Sequence, residues 1–290
     1  MQSRQNEELD YQNIVPINQK YTYEMMQENI YALKIAYPFL EIGSIGQSVL
    51  KKKLPYIRIG FGPKEVLYHG GIHANEWITS VLLMKYIENF CKAYITGGYV
   101  DGYPAQKIFE QVSLYIVPMM NPDTINLVTG AISKNSEEYM HYQAISKNFP
   151  EIPFPDGWKA NFNGVDLNLQ FPAGWNQAKE IKFAQGYNKP APRDYVGEGP
   201  LTEPEALAIY NFTLSHNFRL TISYHTQGEE IYWQFLNFVP PNAYEIGQTF
   251  ARLSGYSLVE TPYLSSFAGY KDWYIQTYNR PGYTVEAGLR

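Results

Sequence analysis

The sequence predicts a single α/β domain, with one mixed, twisted sheet flanked by helices on both faces. Short apolar runs of strand character alternate with longer runs at helical spacing along nearly the whole chain, as strands and helices do in a layered α/β fold. The 290 residues suit one large domain or two small ones, and a hydrophobic fraction of 45% is ordinary for a packed core. No internal repeat and no heptad pattern interrupts the alternation.

Residues 1–20 are polar and read as a lead-in segment, which leaves 21–290 for the domain itself. Residues 23–36 are apolar at helical spacing and stop before Pro38, which predicts the first helix. Strands are expected at 40–42, 48–51, 56–60 and 65–68. Residues 79–94 read as a helix apolar on more than one face, hence well buried. A strand at 112–117 is bounded by Pro118 and by a turn at Asn121-Pro122-Asp123. From 130 to 200 the chain is rich in Asn, Gly, Pro and aromatics, and a long functional loop with few regular elements is expected. A helix over 203–215 follows, with Thr202 as candidate N-cap and Pro204 near its first position. A buried strand at 220–224, helices at 244–253 and 271–277, and a strand at 283–286 complete the series. Sites in such sheets lie at the C-terminal ends of strands. His225 and Glu286 fall at two such ends, and His73 lies in the loop after a third.

Composition narrows the function. The net charge is −5, from 23 basic and 28 acidic residues, and no basic run exceeds Lys51-Lys52-Lys53, which argues against a nucleic-acid partner. The lone cysteine, Cys91, excludes a disulfide framework, reads as a small buried apolar residue, and leaves no thiolate set for a metal. The first ten residues carry no apolar signal core, and no apolar run reaches the roughly 20 residues that a membrane span requires. A soluble, cytoplasmic chain without a transmembrane segment is therefore expected, with association with the cell wall as an open alternative. Tyrosine, at 26 copies, suits both half-buried packing and the lining of a polymer-binding groove.

The most informative stretch is Tyr68-His69-Gly70-Gly71-Ile72-His73-Ala74-Asn75-Glu76-Trp77. It sets a histidine and a glutamate three residues apart, between a strand-like run and a helix-like run. An imidazole and a carboxylate on one turn can form two of the three ligands of an open zinc site, and His225 offers a third. The bland alternative is a polar turn that caps a helix, with Glu76 favoured by the helix dipole.

The motifs His73-x-x-Glu76, Asn121-Pro122-Asp123, Gly164-Val165-Asp166-Leu167-Asn168, Ser223-Tyr224-His225, Asp272-Trp273 and Thr284-Val285-Glu286-Ala287-Gly288 occur in that order. Together they resemble the zinc metallocarboxypeptidase family, over about residues 20–290. The phrases His69-Gly70-Gly71-Ile72-His73-Ala74-Asn75-Glu76, Trp158-Lys159-Ala160-Asn161 and Tyr224-His225-Thr226-Gln227-Gly228 are similar to its bacterial branch of γ-D-glutamyl-L-diamino acid endopeptidases, which cut peptidoglycan stem peptides.

The resemblance implies one zinc ion per chain, held by His73, Glu76 and His225, with Glu286 as general base. It implies a cation at Lys159 that helps stabilise the oxyanion, where many relatives carry Arg, and it implies Asn168 as a substrate-carboxylate ligand. Asp166, in the same turn, reads as structural. Lys271 falls where the family sets preference for the side chain beyond the cut bond, and a cation there suits the extra carboxylate of diaminopimelate. The substrate-binding tyrosine of the family aligns with Tyr263 if one residue is inserted, with Tyr270 as the alternative.

Two departures stand out. Leu169 replaces the arginine that clamps a C-terminal carboxylate in the exopeptidases, which favours an endopeptidase-like role. The chain also stops four residues after Glu286, so the domain is expected to be shortened at its C-terminus. The leading expectation is zinc-dependent hydrolysis of γ-D-glutamyl–diaminopimelate bonds in peptidoglycan-derived peptides. The alternatives are a metallocarboxypeptidase that releases C-terminal residues, and a non-catalytic peptide-binding member of the family.

Overall fold

The computed structural model describes residues 13–289. In chain order its elements are α1 (Tyr23–Ala36), β1 (Glu41–Gln47), β2 (Lys53–Ile59), β3 (Lys64–His69), α2 (Ile78–Ile95), β4 (Tyr99–Val100), β5 (Tyr103–Pro104), α3 (Ala105–Gln111), β6 (Val112–Val117), α4 (Pro122–Thr129) and α5 (Glu137–Ser146). Then follow α6 (Trp175–Ala184), α7 (Pro204–Leu214), β7 (Leu220–His225), β8 (Glu230–Tyr232), α8 (Ala243–Ser254), β9 (Ser257–Val259), α9 (Tyr270–Tyr278) and β10 (Gly282–Glu286). Single 3₁₀ turns lie at Ala74–Glu76, Leu167–Leu169 and Tyr263–Ser265.

Among the described residues one sheet of eight strands runs in the order β1-β2-β6-β3-β7-β10-β8-β9, and β4 and β5 form a separate two-stranded ribbon. The four inner strands β6, β3, β7 and β10 are parallel, while β2 joins β6 and β8 joins β10 in antiparallel fashion. The fold is therefore the mixed α/β sheet that the sequence predicts. Strand β6 shows why both faces need cover. Leu114 and Ile116 pack into the cluster that holds Met26, Leu83 and Ile87 of α1 and α2, whereas Tyr115 and Val117 pack into the one that holds Ile209 of α7 and Trp273 of α9. Successive side chains of a strand point to opposite faces, so a strand buried on both reads as a continuous apolar run.

Helix α1 has the expected bounds. Thr22 caps it by accepting a bond from the Met25 N–H at 3.2 Å, and Met26, Ile30 and Leu33 make its buried stripe. On α2 the buried Glu88 accepts from Lys85 and Lys92, and from the backbone N–H groups of Ile14 and Val15 at 3.0 and 3.1 Å. That carboxylate fastens the segment preceding α1 to the outer helix layer. Cys91 is fully buried on the same helix, as expected of a small apolar residue.

Other expectations are corrected. Residues 48–51 form a turn: β1 ends at Gln47, and the Ser48 hydroxyl donates to the buried Asp123 carboxylate at 2.9 Å. Asn121-Pro122-Asp123 opens α4 with proline at its start, where the missing N–H costs nothing. The stretch 130–200 carries two helices, α5 and α6, in place of a structureless loop. Helix α5 is capped by Ser136, which accepts from Tyr139 N–H at 3.2 Å, but it buries little beyond Tyr142 and so leaves no apolar period to read. The cap position of α7 is Glu203, while the Thr202 hydroxyl is spent on Gln170 Oε1 at 3.1 Å. No helix among the described residues is long and apolar enough to cross a membrane.

Candidate active site

Strand β3 ends at His69, and the chain must turn sharply into the loop that carries His73. Gly71 has φ +62°, and a Cβ there would lie 2.6 Å from the Ser80 hydroxyl and 3.2 Å from the Met119 backbone. A glycine is needed on both counts. The turn is then stitched from two sides. Met120 and Asn121 donate backbone N–H bonds to Gly70 and Gly71, and Ala74 and Asn75 donate to the carbonyls of Lys159 and Trp158 at 3.1 and 3.0 Å. The Asn121 amide donates to the carbonyls of Ile72, Lys159 and Ala160, so one buried side chain ties the His73 loop to the Lys159 segment. Trp158 is itself fully buried, which anchors that segment from below.

These constraints bring His73, Glu76 and His225 together, with one ligand atom from each lying within 4.8 Å of the others and all three side chains buried. His225 is the last residue of β7 and Glu286 the last of β10, and the parallel register pairs them directly. His73 Nε2 lies 3.1 Å from Asp166 Oδ1. Against the cost of burial, His73, Lys159 and the Asp194 N–H hold the Asp166 carboxyl well below its ordinary range, so it is ionised and can only accept. Nε2 therefore carries a proton, and Nδ1 faces inward, 3.0 Å from Glu76 Oε1 and 3.2 Å from His225 Nδ1.

Two buried imidazole nitrogens and a carboxylate that converge in this way favour a positive charge between them. Burial disfavours a charged His73 ring, but Glu76 and Asp166 outweigh it and lift the ring to about 9. A cation in the cluster would replace that proton. Two neutral nitrogens and a carboxylate match the donor types of an open zinc site, and Asp166 supplies the outer carboxylate that fixes ring orientation. The residues thus fit a zinc ion. His69, nearby, is of another kind. Burial and His225 push its ring down to about 3, and Nε2 bonds Ser223 Oγ at 2.7 Å, which makes it a neutral packing residue.

A cavity of about 230 Å³ opens beside the cluster, and Lys159, Asn168, Leu169, Lys271 and Glu286 all line it. Lys159 Nζ lies 2.8 Å from Glu76 Oε1. With His73 and His225 it keeps Glu76 ionised against the cost of burial, well below the usual carboxylate range. Glu286 is shifted the other way. Burial raises its carboxyl above the ordinary glutamate value, and Glu76 adds to the rise while His225 opposes it. Asn168 Oδ1 accepts from the Tyr270 N–H at 3.2 Å. Lys271 is buried, with Nζ 2.6 Å from the Gln234 carbonyl and 2.5 Å from Asp272 Oδ1. Tyr263 is 60% exposed and does not itself line the cavity, although its neighbours Pro262 and Leu264 do; its ring is edge-on to Phe267, another lining residue. Tyr270 is fully buried behind the cavity, with its hydroxyl 2.9 Å from Thr213 Oγ1.

Sequence reasoning missed Lys182, Arg193 and Asp194, which also line the cavity. They come from α6 and the segment after it, in the stretch read as irregular, and nothing in their spacing marks them. It also gave Asp166 a purely structural part. Asp166 accepts from the Asn168 and Asp194 N–H groups, each at 3.1 Å, as well as facing His73, so one turn residue joins three parts of the wall.

The family model described as zinc carboxypeptidase matches residues 26–288. The chain is 44% identical over 270 residues to gamma-D-glutamyl-L-diamino acid endopeptidase 1 of Lysinibacillus sphaericus, an alignment that covers 93% of this chain and 66% of that protein. It thus spans just under two thirds of that relative's length. It is also 33% identical over 270 residues to the uncharacterized protein YqgT of Bacillus subtilis (strain 168), covering 92% of this chain and 70% of that one. Among solved structures, the carboxypeptidase A of Helicoverpa armigera superposes with a TM-score of 0.70 at 18% identity, over 95% of this chain and 66% of that one. The murein-tripeptide amidase MpaA of Escherichia coli O157 superposes with a TM-score of 0.52 at 20% identity, over 85% of this chain and 82% of that one. At these identities the superpositions bear on fold alone.

Proposed function

Because the chain belongs to the zinc carboxypeptidase family, we propose that it is a zinc-dependent peptidase that hydrolyses the γ-D-glutamyl–diamino acid bond of peptidoglycan stem peptides. The observation that carries the reading is the 44% identity, along 93% of the chain, to an endopeptidase named for that bond. Leu169 on the cavity wall agrees with it, since that position offers no charged partner to a carboxylate, where the exopeptidases of the resemblance carry arginine.

His73, Glu76 and His225 would hold one zinc ion per chain. When bound, zinc supplies Lewis-acid polarisation of the scissile carbonyl and lowers the pKa of a water molecule. Glu286, at the end of β10, takes the proton from the attacking water and hands it to the leaving amine. Burial raises its carboxyl pKa, which strengthens it as a base for the first of these transfers. Lys159 offers a point charge to the oxyanion of the tetrahedral intermediate, without the fork of an arginine. On the leaving side, Asn168 orients the substrate, and the exposed Tyr263, between the lining residues Pro262 and Leu264, is the candidate to cover it. Lys271 has three N–H donors, two of which are spent on Gln234 and Asp272, which leaves one for the second carboxylate of a diaminopimelate residue.

The test is turnover of a defined stem peptide, L-Ala-γ-D-Glu-meso-diaminopimelate, by zinc-loaded protein. Cleavage between glutamyl and diaminopimelyl residues is the expected result. Efficient release of neutral C-terminal residues from ordinary peptides, with the stem peptide left intact, would favour the carboxypeptidase alternative. Zinc binding with no turnover of either would favour the binding module.

The outer carboxylate gives a separate expectation. Asp166→Asn should weaken zinc binding about 10- to 100-fold, the usual effect of removing a group that orients a ligating histidine. Competition with a chromogenic chelator reads this directly. Unchanged affinity would reduce Asp166 to a packing role.

A further inference from the structure

The cations around the cavity are not all paired in the same way. Lys159 faces Glu76, and Lys271 faces Asp272, each pair one to one. Lys182 and Arg193 share a single carboxylate. Lys182 Nζ lies 2.5 Å from Asp194 Oδ1 and Arg193 Nε lies 2.6 Å from Oδ2, so each oxygen of Asp194 serves one cation. Asp166 also stabilises the Arg193 charge and Glu151 lines the adjoining cavity, so the pair is not left with a bare surplus charge; what sets Arg193 apart is how Asp194 meets it. Asp194 occupies Arg193 through Nε, so the outer fork of the guanidinium, Nη1 and Nη2, remains for a second carboxylate. The Arg193 side chain is 41% exposed and can be reached from solvent.

Its position says what that carboxylate would belong to. Arg193, Lys182 and Asp194 line the first cavity and also a second one of about 590 Å³, which Asn75 and Gly157 border. Lys271 lines the first cavity and not the second. A substrate whose leaving residue points to Lys271 has room to extend its acyl part toward the second cavity, past Arg193. Asp166 holds both ends of this arrangement, with Oδ1 on His73 and Oδ2 on the Asp194 N–H.

We infer that Arg193 is a specificity residue that binds the free α-carboxylate of the glutamyl residue on the acyl side of the cut bond, with Lys182 and Asp194 as its brace. The inference rests on the γ-glutamyl reading given above. A γ-linked glutamyl residue carries an ionised α-carboxylate three carbons from the scissile carbonyl. An α-linked residue without an acidic side chain presents only a neutral amide in the adjoining backbone. A guanidinium whose outer fork is open beside the acyl path favours a free carboxylate at that place over a neutral backbone amide, a choice that the zinc ligands and Glu286 do not make.

The experiment compares the stem tripeptide L-Ala-γ-D-Glu-meso-diaminopimelate with the same peptide amidated at the glutamyl α-carboxylate, using zinc-loaded protein. Wild type should favour the free acid about 10- to 100-fold in kcat/KM, the range of one charge-assisted contact. Arg193→Gln should bring that ratio close to one, and Arg193→Lys should leave it intermediate. Because the wild-type ratio needs no variant, poor folding of Arg193→Gln would not rescue the idea. Equal cleavage of acid and amide by wild type overturns the role of Arg193 while leaving the γ-glutamyl reading intact, as does an unchanged ratio in Arg193→Gln. Failure to cleave either peptide overturns both.

Discussion

Replacing Glu286 with glutamine should leave the zinc content unchanged and lower kcat by about 10²–10⁴, the range for a positioned acid–base group. Glutamine keeps the shape of the side chain and its place beside His225 on β10, but it cannot take a proton from water. The pH profile gives the prediction its sign. The base acts when ionised, and burial raises the Glu286 carboxyl above the ordinary glutamate value. For the wild type, kcat/KM should therefore fall as pH is lowered through the Glu286 midpoint, and this acid limb should vanish in the glutamine variant. Metal analysis alongside steady-state kinetics checks both halves. Unchanged turnover on the best substrate would remove Glu286 from the chemistry.

The second large effect is on the metal itself. His73→Ala should lose nearly all zinc and, with it, activity on every substrate. The ring is the inner partner of Asp166 and one of three donors within 4.8 Å of one another. Without it the pocket keeps one nitrogen donor and one carboxylate, too few for a tight site. The fold should survive, because the loop is held mainly by backbone bonds to Lys159 and Trp158 and by the Asn121 amide, none of which uses the imidazole. Plasma emission spectrometry on purified protein, with circular dichroism as a fold control, separates loss of metal from loss of structure. Full occupancy in the variant would exclude His73 as a ligand.

How far the sequence could be read depended on whether a signal was local. Helix α1 was legible because Met26, Ile30 and Leu33 repeat at helical spacing above a threonine cap. Strand β6 was legible as an apolar run closed by proline. The three-residue strands β8 and β9 are too short for any period, and α5 buries too little to show one. The same division holds at the site. His73 and Glu76 share one turn, and Glu286 ends a clear strand, so each could be found by eye. The double duty of Asp166 depends on a contact made 93 residues away. Arg193 matters only because Asp194 is tied back to that same carboxylate across 28 residues. No spacing in the chain encodes either fact; the tertiary fold creates them.

The register of β10 against β7 has a consequence for how such a site can change. Neighbouring strands lie about 4.8 Å apart, so pairing Glu286 with His225 fixes the separation of their backbones by the pitch of the sheet and not by any loop. A slip of one residue would turn Glu286 to the opposite face. The reacting groups are therefore all but immune to gradual adjustment. The rim differs in this respect. Lys271, Arg193 and Tyr263 are borne by a helix start, a connecting segment and a 3₁₀ turn, where insertions and exchanges are tolerated. Substrate choice is free to drift by rebuilding the rim over a hydrolytic centre that stays rigid, and grafts between relatives that exchange those segments alone should carry preference with them and leave the mechanism behind.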